Sequence, residues 1–343
     1  MEGNPLVSII ITTCNGDYKL VRAIDSVLMQ TYNNIEIIVV DDNGNGTASR
    51  IETEKMMEKF SNTERVIYLK HEQNKNGSAA RNTGIRTAKG KYVAFLDDDD
   101  VFEKTRIKKC VKTAEQNKGE YNAVYTGVLT VANGLCLKKF TPSAKSDFSV
   151  EILKSHSALG SGSNIFVPME AVRKIQGFDE KFVRFQDIEF MIRISKIVRM
   201  YPVEEALIIK DNSNTRFMPN FKRFLQAVNL FFETFHDEIN QSVYKKEIYN
   251  NKYNDLLLYA YKCADKNNIR TAWDTVNRMD CMGTSSKIKI MLKGQVLKHS
   301  NSKLYRLRKI LSMKKQDKKI RKSLTENEKL FLDSLAFEEE RNT

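Results

Sequence analysis

Short apolar runs separated by helical patterns constrain the fold of this chain more than any other feature. Residues 7–12, 35–40 and 91–96 are apolar over most of their length, with no regular alternation of polar and apolar positions. Continuous apolar strands are buried on both faces, which calls for a parallel sheet covered by helices. The intervening sequence supplies those helices. Leu20, Ile24, Val27 and Leu28 recur at helical spacing within 18–30, residues 47–60 read as a second helix, and Ser78 would cap a third over 79–88. A further strand is expected at 65–69. Right-handed crossovers make such a sheet doubly wound, so the expected class is α/β.

The pattern changes after residue 120. Residues 121–131 and 135–140 flank Asn133-Gly134, a pair suited to a tight turn with positive φ, and read as a β-hairpin. A strand at 164–167, a helix at 188–198 and an extended run at 203–210 follow. Beyond Phe221 the pattern is helical over 224–235, 253–264 and 269–278. Three regions result: an α/β domain over 1–219, a helical region over 220–282, and a basic amphipathic tail over 283–343 with an acidic end. The last residues, 323–343, are polar enough to be expected to fray.

The apolar content of 41% and mean hydropathy of −0.46 describe a soluble chain with material for a core. No stretch reaches the ~18 apolar residues of a membrane span, and no leader pattern opens the sequence. Cys14, Cys110, Cys136, Cys263 and Cys281 are scattered and form no CxxC pair, so neither a disulfide framework nor a zinc site is indicated. These features together favour a cytoplasmic location.

Chemistry is concentrated where the strands end. In an open α/β sheet, ligands bind beyond the carboxyl ends of the strands. The run at 91–96 delivers Asp97-Asp98-Asp99-Asp100, and the run at 35–40 delivers Asp41-Asp42. Adjacent carboxylates repel, and a hard divalent cation with oxygen ligands offsets that repulsion. Neither G-x-G-x-x-G nor G-K-[ST] is present after a strand, so a nucleotide would be held by side-chain carboxylates and a metal.

Six segments in order carry a family resemblance. Val7-Ser8-Ile9-Ile10-Ile11-Thr12-Thr13-Cys14-Asn15 resembles VSVIIPTYN, the opening of the family 2 inverting glycosyltransferases. Ile37 to Asp42 resembles that family's second strand, Ser78 to Gly84 its SAARNxG segment, and Gly90 to Asp100 its GxYIxFLDxDD segment. Gln176 to Glu180 resembles GGFDE, and Gln186-Asp187 stands where the family has its ED pair. The resemblance covers roughly 5–215. It implies a GT-A fold, Rossmann-like and mostly parallel, and an inverting hexosyl transfer from a UDP-sugar assisted by Mn²⁺ or Mg²⁺.

The same resemblance assigns roles. Asp187 would be the catalytic base, removing a proton from the acceptor hydroxyl. Asp99 would bind the metal directly and Asp97 would share in it or face the ribose, with Asp98 beside them. Asp42 would receive the base ring, lined by Thr12, Cys14 and Asn15. Arg81 would support the diphosphate, and Lys210 would place a positive charge near it. Gln186, Glu189 and His156 would stand near the acceptor, with Glu189 as the second candidate for the base. Two departures matter: Cys14 replaces an aromatic that would stack on the base, and Gln186 replaces an acid.

Residues 287–322 hold fourteen Lys/Arg against Asp317 alone, so this segment accounts for the whole net charge of +13. Leu304, Leu307, Ile310 and Leu311 recur there at helical spacing. A basic amphipathic helix suits an anionic membrane surface. Tyr305 is the only aromatic in the segment, which argues against nucleic acid. The expected protein is peripheral on the inner face of the cell membrane and acts on a glycan or lipid-linked glycan in bacterial surface polysaccharide synthesis. A competing expectation is a catalytically inactive GT-A module that binds through its basic tail.

Overall fold

The computed structural model describes residues 4–117, 119–143, 148–154, 159–213, 220–278, 283–298 and 303–341. The chain forms two compact units. The first comprises Met1–Ser149, Ser157–Asn214 and Gln316–Thr343, the second Val150–His156 and Thr215–Lys315.

The first unit begins β1 (Val7–Thr13), α1 (Lys19–Leu28), β2 (Ile35–Asp41), α2 (Ala48–Glu58), β3 (Val66–Lys70), α3 (Gly77–Thr87) and β4 (Tyr92–Asp97). It continues through β5 (Val101–Phe102), α4 (Arg106–Gln116), β6 (Asn122–Ala132) and β7 (Leu135–Phe140). Helix α5 (Phe148–Lys154) crosses the unit boundary. Then come β8 (Phe166–Pro168), α6 (Met169–Lys174), α7 (Gln186–Ile194) and β9 (Arg199–Asp211). The strands form one mixed sheet in the order β3-β2-β1-β4-β8-β6-β9-β5, with β7 beside β6. Strands β1 to β4 are mutually parallel, β6 and β9 are parallel, and β8 runs antiparallel to β4 and β6. The expected α/β architecture is therefore present.

Register positions the chemistry. Thr12 lies opposite both Val40 and Asp97, and Thr13 opposite Asp41. The carboxyl ends of β1, β2 and β4 thus open on the same edge. Behind them, Ile9 and Ile11 pack with Leu20, Ile24 and Val27 of α1 and with Ile37, Val39 and Leu96. The apolar spacing that marked α1 in the sequence is the face it buries. The hairpin is as expected, with Asn133 at φ 49° and Gly134 at φ 70°.

Two local expectations change. Helix α3 is capped by Asn76 and not by Ser78: the Asn76 side chain accepts from the amides of Ser78 and Ala79 at 2.9 and 3.2 Å. Ser78 is buried and donates to the carbonyl of Phe182 at 2.9 Å. The described part of the stretch expected to fray, up to residue 341, is also helical from Glu326. Helix α14 (Glu326–Arg341) closes over the sheet, where Leu324, Leu332 and Leu335 are buried against Val101, Leu129, Val131, Ala206 and Ile209. Glu328 fixes it, accepting from Lys139 at 2.7 Å and from the Ala206 amide at 3.1 Å.

The second unit contains α8 (Phe221–Thr234), α9 (His236–Gln241), α10 (Lys245–Lys262), α11 (Lys266–Arg278) and α12 (Thr284–Lys298). Helix α13 (Lys303–Arg321) begins in this unit and ends in the first. On α12, Ile288, Met291 and Leu292 are exposed, as are Ile310 and Leu311 on α13. Among the described residues no helix is long and apolar enough to cross a membrane.

Candidate active site

The four carboxylates at the end of β4 have four different environments. Asp97 accepts from Arg81 at 2.8 Å through Oδ1, and its amide donates to the Ser163 hydroxyl at 3.0 Å. Asp98 turns toward β1, where Thr13 donates to it at 2.5 Å. Asp100 is buried and accepts from Ser161 at 2.7 Å and Ser163 at 2.6 Å. Among the described residues, the carboxylate of Asp99 has no hydrogen-bond donor. The groups left to hold a cation are therefore the Asp99 carboxylate and Oδ2 of Asp97.

The electrostatics agree. Burial, reinforced by the charges of Asp100, Asp97 and Asp98, pushes the Asp99 carboxyl up to about 8. Burial pushes Asp98 up to about 7 against the opposing Thr13 hydrogen bond. Burial and then Asp97 push Asp100 up to about 6, opposed by Lys210, Ser163 and Ser161. In each case burial is the leading cause and a neighbouring carboxylate adds to it. Lys210 opposes the rise at Asp100. Burial lowers its pKa, but the fields of Asp100, Asp97, Asp187 and Asp99 more than reverse the effect.

Asp187 reaches the same place from the other side. It stands in the first turn of α7, a helix that begins directly after Phe185, whose φ of 63° lies in the left-handed region. A bulky side chain adopts that region only under local strain, and such positions cluster at functional sites. A Cβ built on Gly162 would lie 3.5 Å from Asp97 Oδ2 and 3.6 Å from Asp187 Oδ2. The two carboxylates thus border one space over a residue without a side chain. Arg81 links the two elements, donating to Gln186 Oε1 at 2.7 Å as well as to Asp97.

The remaining candidates separate. Asp42 is buried, and its carboxylate accepts from His71 Nδ1 at 2.7 Å, the Lys75 amide at 2.8 Å, the Asn76 amide at 2.9 Å and Asn74 at 3.0 Å. It organises the 74–76 loop. Cys14 and Asn15 are exposed at the end of β1, and Asn74 donates to the Cys14 sulfur at 3.1 Å. Thr12 is half-buried next to them in sequence, in register with Asp97. Glu189 is buried and paired with Arg193, which also holds the carbonyls of Ile175 and Gly177 at 2.7 Å. Its carboxylate is thereby taken up within the fold. His156 lies outside the described residues.

Comparison with known proteins places this geometry. A family model described as glycosyl transferase family 2 matches residues 8–130. The uncharacterised glycosyltransferase MJ1057 of Methanocaldococcus jannaschii is 31% identical over 232 residues, covering 65% of this chain and 74% of that protein. The chain belongs to glycosyl transferase family 2. Among its relatives in that family, the amylovoran biosynthesis glycosyltransferase AmsB of Erwinia amylovora is 26% identical over 250 residues, covering 71% of this chain and 81% of AmsB. An uncharacterised glycosyltransferase of Rickettsia bellii is 30% identical over 60% of this chain, which spans only 29% of that longer protein.

Solved structures agree on the fold. TarS 1–349 of S. aureus, in complex with UDP-GlcNAc, superposes with a TM-score of 0.54 at 15% identity, covering 80% of this chain and 92% of TarS. The mannosyltransferase PcManGT of Pyrobaculum calidifontis, with GDP-Man and Mn²⁺, gives 0.50 at 15% identity, covering 92% and 85%. The expected GT-A architecture is that of these neighbours.

Several contributors to this candidate site were not anticipated. Ser161, Gly162 and Ser163 form its floor, and the buried Arg106 donates to the Ser163 carbonyl at 3.2 Å. Lys19, Arg22 and Asp211 form a buried ionic cluster beneath it. A signal for two of these existed: Lys19 and Arg22 interrupt the otherwise apolar stretch of α1 at Leu20, Ala23 and Ile24, and all five are buried.

Proposed function

We propose that this chain is a metal-dependent inverting glycosyltransferase. It moves a hexosyl group from a UDP-sugar to a hydroxyl of a glycan or lipid-linked glycan, in bacterial surface polysaccharide synthesis. The observation that carries this reading is the convergence of Asp97 and Asp187 on the space above Gly162, with the unbonded Asp99 two residues from Asp97.

The residues present fit a hard cation. Asp99 and Asp97 Oδ2 would hold Mn²⁺ or Mg²⁺. Among the described residues no three His, Cys, Asp or Glu side chains converge as a ready cage. That suits an ion completed by phosphate oxygens and water. When bound, the ion supplies charge stabilisation on the departing diphosphate. Arg81 holds Asp97 in place and adds positive charge on the same side. Asp187 takes the proton from the acceptor hydroxyl as that oxygen attacks the anomeric carbon. A single base and no enzyme nucleophile correspond to inversion.

TarS was solved with UDP-GlcNAc and PcManGT with GDP-Man, so the fold accommodates both bases. Uracil is favoured on the resemblance of Asp42 at the end of β2, where Asn74 donates to its carbonyl and to the Cys14 sulfur; Cys14 in place of an aromatic weighs the other way. Polysaccharide synthesis is supported by the similarity to AmsB. Exposed Ile288, Met291 and Leu292, interleaved with Lys289 and Lys293, support peripheral docking on an anionic inner membrane surface.

Thermal shift with Mn²⁺ and a panel of sugar nucleotides tests the donor. A UDP-sugar that raises the melting temperature in the presence of Mn²⁺ and not in EDTA is expected. No shift with any sugar nucleotide would overturn the reading.

A further inference from the structure

We propose that Arg106 is a positioning residue that holds the Ser161-Gly162-Ser163 turn where Asp97 and Asp187 can share one space. It rests on the sugar-transfer reading above and adds to the same site a residue that touches no substrate.

Arg106 opens α4 and is fully buried. Its guanidinium lies over the Phe102 ring, 4.1 Å from the centroid, and Nη2 donates to the Ser163 carbonyl at 3.2 Å. Among the described residues no carboxylate pairs with it, and its Nε and Nη1 have no hydrogen-bond partner. Burial lowers its pKa. A buried cation without a counter-ion is costly, and buried donors without acceptors add to the cost. For packing alone, an apolar side chain of similar length would serve as well or better. The reason for a cation at this position is therefore what its one hydrogen bond holds.

That bond ends on a turn with further duties. The Ser163 hydroxyl donates to Asp100 at 2.6 Å and accepts from the Asp97 amide at 3.0 Å, and the Ser161 hydroxyl donates to Asp100 at 2.7 Å. Gly162, between the two serines, faces the oxygens of Asp97 and Asp187. On one side Asn164 ties the turn to β6, accepting from the Thr126 amide at 2.8 Å and donating to the Thr126 carbonyl at 2.7 Å. Arg106 ties it to α4. Without that tie the turn is free to shift against both carboxylates, and a misplacement of about 1 Å in a reacting geometry lowers a rate by about a hundredfold. Arg106 acts through the turn and does no chemistry itself.

The test is steady-state UDP release with Mn²⁺ and the UDP-sugar found by thermal shift, together with thermal melting, on the full chain. Arg106→Met is uncharged and of similar length. It is expected to lower kcat by about ten- to a hundredfold with KM within about threefold of wild type. It is also expected to melt at or above the wild-type temperature, because an unpaired buried charge has been removed. Arg106→Lys keeps a cationic donor for the Ser163 carbonyl and is expected to turn over faster than R106M. Wild-type kcat in R106M overturns the inference, as does an R106K protein as slow as R106M. An R106M protein that melts lower or fails to fold marks Arg106 as a structural donor and overturns it too. A wild-type protein that releases no UDP overturns the sugar-transfer reading itself, and the inference with it.

Discussion

Asp97 and Asp187, ninety residues apart in the chain, each aim an oxygen at the point where Gly162 lacks a Cβ, from 3.5 and 3.6 Å. The space between them is bordered below by the Ser161-Gly162-Ser163 turn, whose hydroxyls are anchored on Asp100. Gly162 does not need positive φ, so alanine is compatible with its backbone. A methyl group there would contact both carboxylates and fill the space the reacting sugar needs. Gly162→Ala is expected to keep UDP affinity and to lower sugar transfer by about tenfold, an assumed loss of about 1.4 kcal/mol in transition-state binding. Isothermal titration with UDP and a UDP-release assay check the two halves separately. Full turnover in the variant would show that the space is not used.

The acidic quartet makes stability depend on pH. Asp98, Asp99 and Asp100 are raised to about 7, 8 and 6 in the fold, well above an unfolded carboxylate near ~3.9. Between those limits the native state holds more protons than the unfolded state, so this contribution is complete below pH ~4 and is lost as pH rises toward 8. Thermal melts in EDTA are expected to show a falling melting temperature from pH 5.5 to 8.5. Added Mn²⁺ competes with those protons, so its stabilisation is expected to grow over the same window. Asp99→Asn is expected to flatten both trends. A melting temperature that rises with pH in EDTA would contradict the assigned burial of charge.

Helix α14 is expected to be a structural part of the first unit. Leu332 and Leu335 are buried with Val101, Leu129 and Ile209. Truncating a buried leucine to alanine typically costs about 2–5 kcal/mol through lost transfer energy and cavity formation. Leu332→Ala is expected to shift the denaturant midpoint by a corresponding amount, whereas Leu330→Ala, at an exposed position of the same helix, is expected to leave it unchanged. Equal effects at the two positions would contradict the packing.

The basic region offers a fourth test. Lys289 and Lys293 flank the exposed Ile288, Met291 and Leu292 on α12. Each lysine near an anionic bilayer contributes about 1 kcal/mol. Reversing both to glutamate is expected to weaken cosedimentation with vesicles rich in anionic lipid by at least about thirtyfold at moderate salt. The same substitutions are expected to leave UDP binding intact. Wild-type protein that fails to pellet with such vesicles would remove the membrane reading.

The parallel half of the sheet was legible because its strands are continuous apolar runs, and burial on both faces needs no partner beyond the neighbouring helices. Asp97, Asp99 and Asp187 were proposed from the sequence because they stand in a recognisable order along the chain. The floor of the site was not. Ser161 and Ser163 acquire meaning only when β8 brings their loop against Asp100, a relationship across sixty residues. The role of Asp42 changed for the same reason. Its position at the end of β2 was clear, but the four donors that fill its carboxylate come from His71 and the 74–76 loop. Helix α4 went unread although Ile107, Cys110, Val111 and Ala114 mark its buried face, because five cations and amides among its residues obscured that stripe. The apolar residues of α14 were likewise hidden in a polar, acidic stretch, and only the sheet face they cover reveals their purpose.

In the proposed reaction Asp187 is the base of a sugar transfer. The most direct measurement compares UDP release from the UDP-sugar found in the thermal screen, with Mn²⁺ present, for wild type and Asp187→Asn. Loss of a general base lowers the rate by about 10²–10⁴, while nucleotide binding is expected to be unaffected. Wild-type turnover with a loss of that size in Asp187→Asn, and UDP affinity within about twofold of wild type, is the result expected. Undiminished turnover in the Asp187→Asn protein would contradict the account.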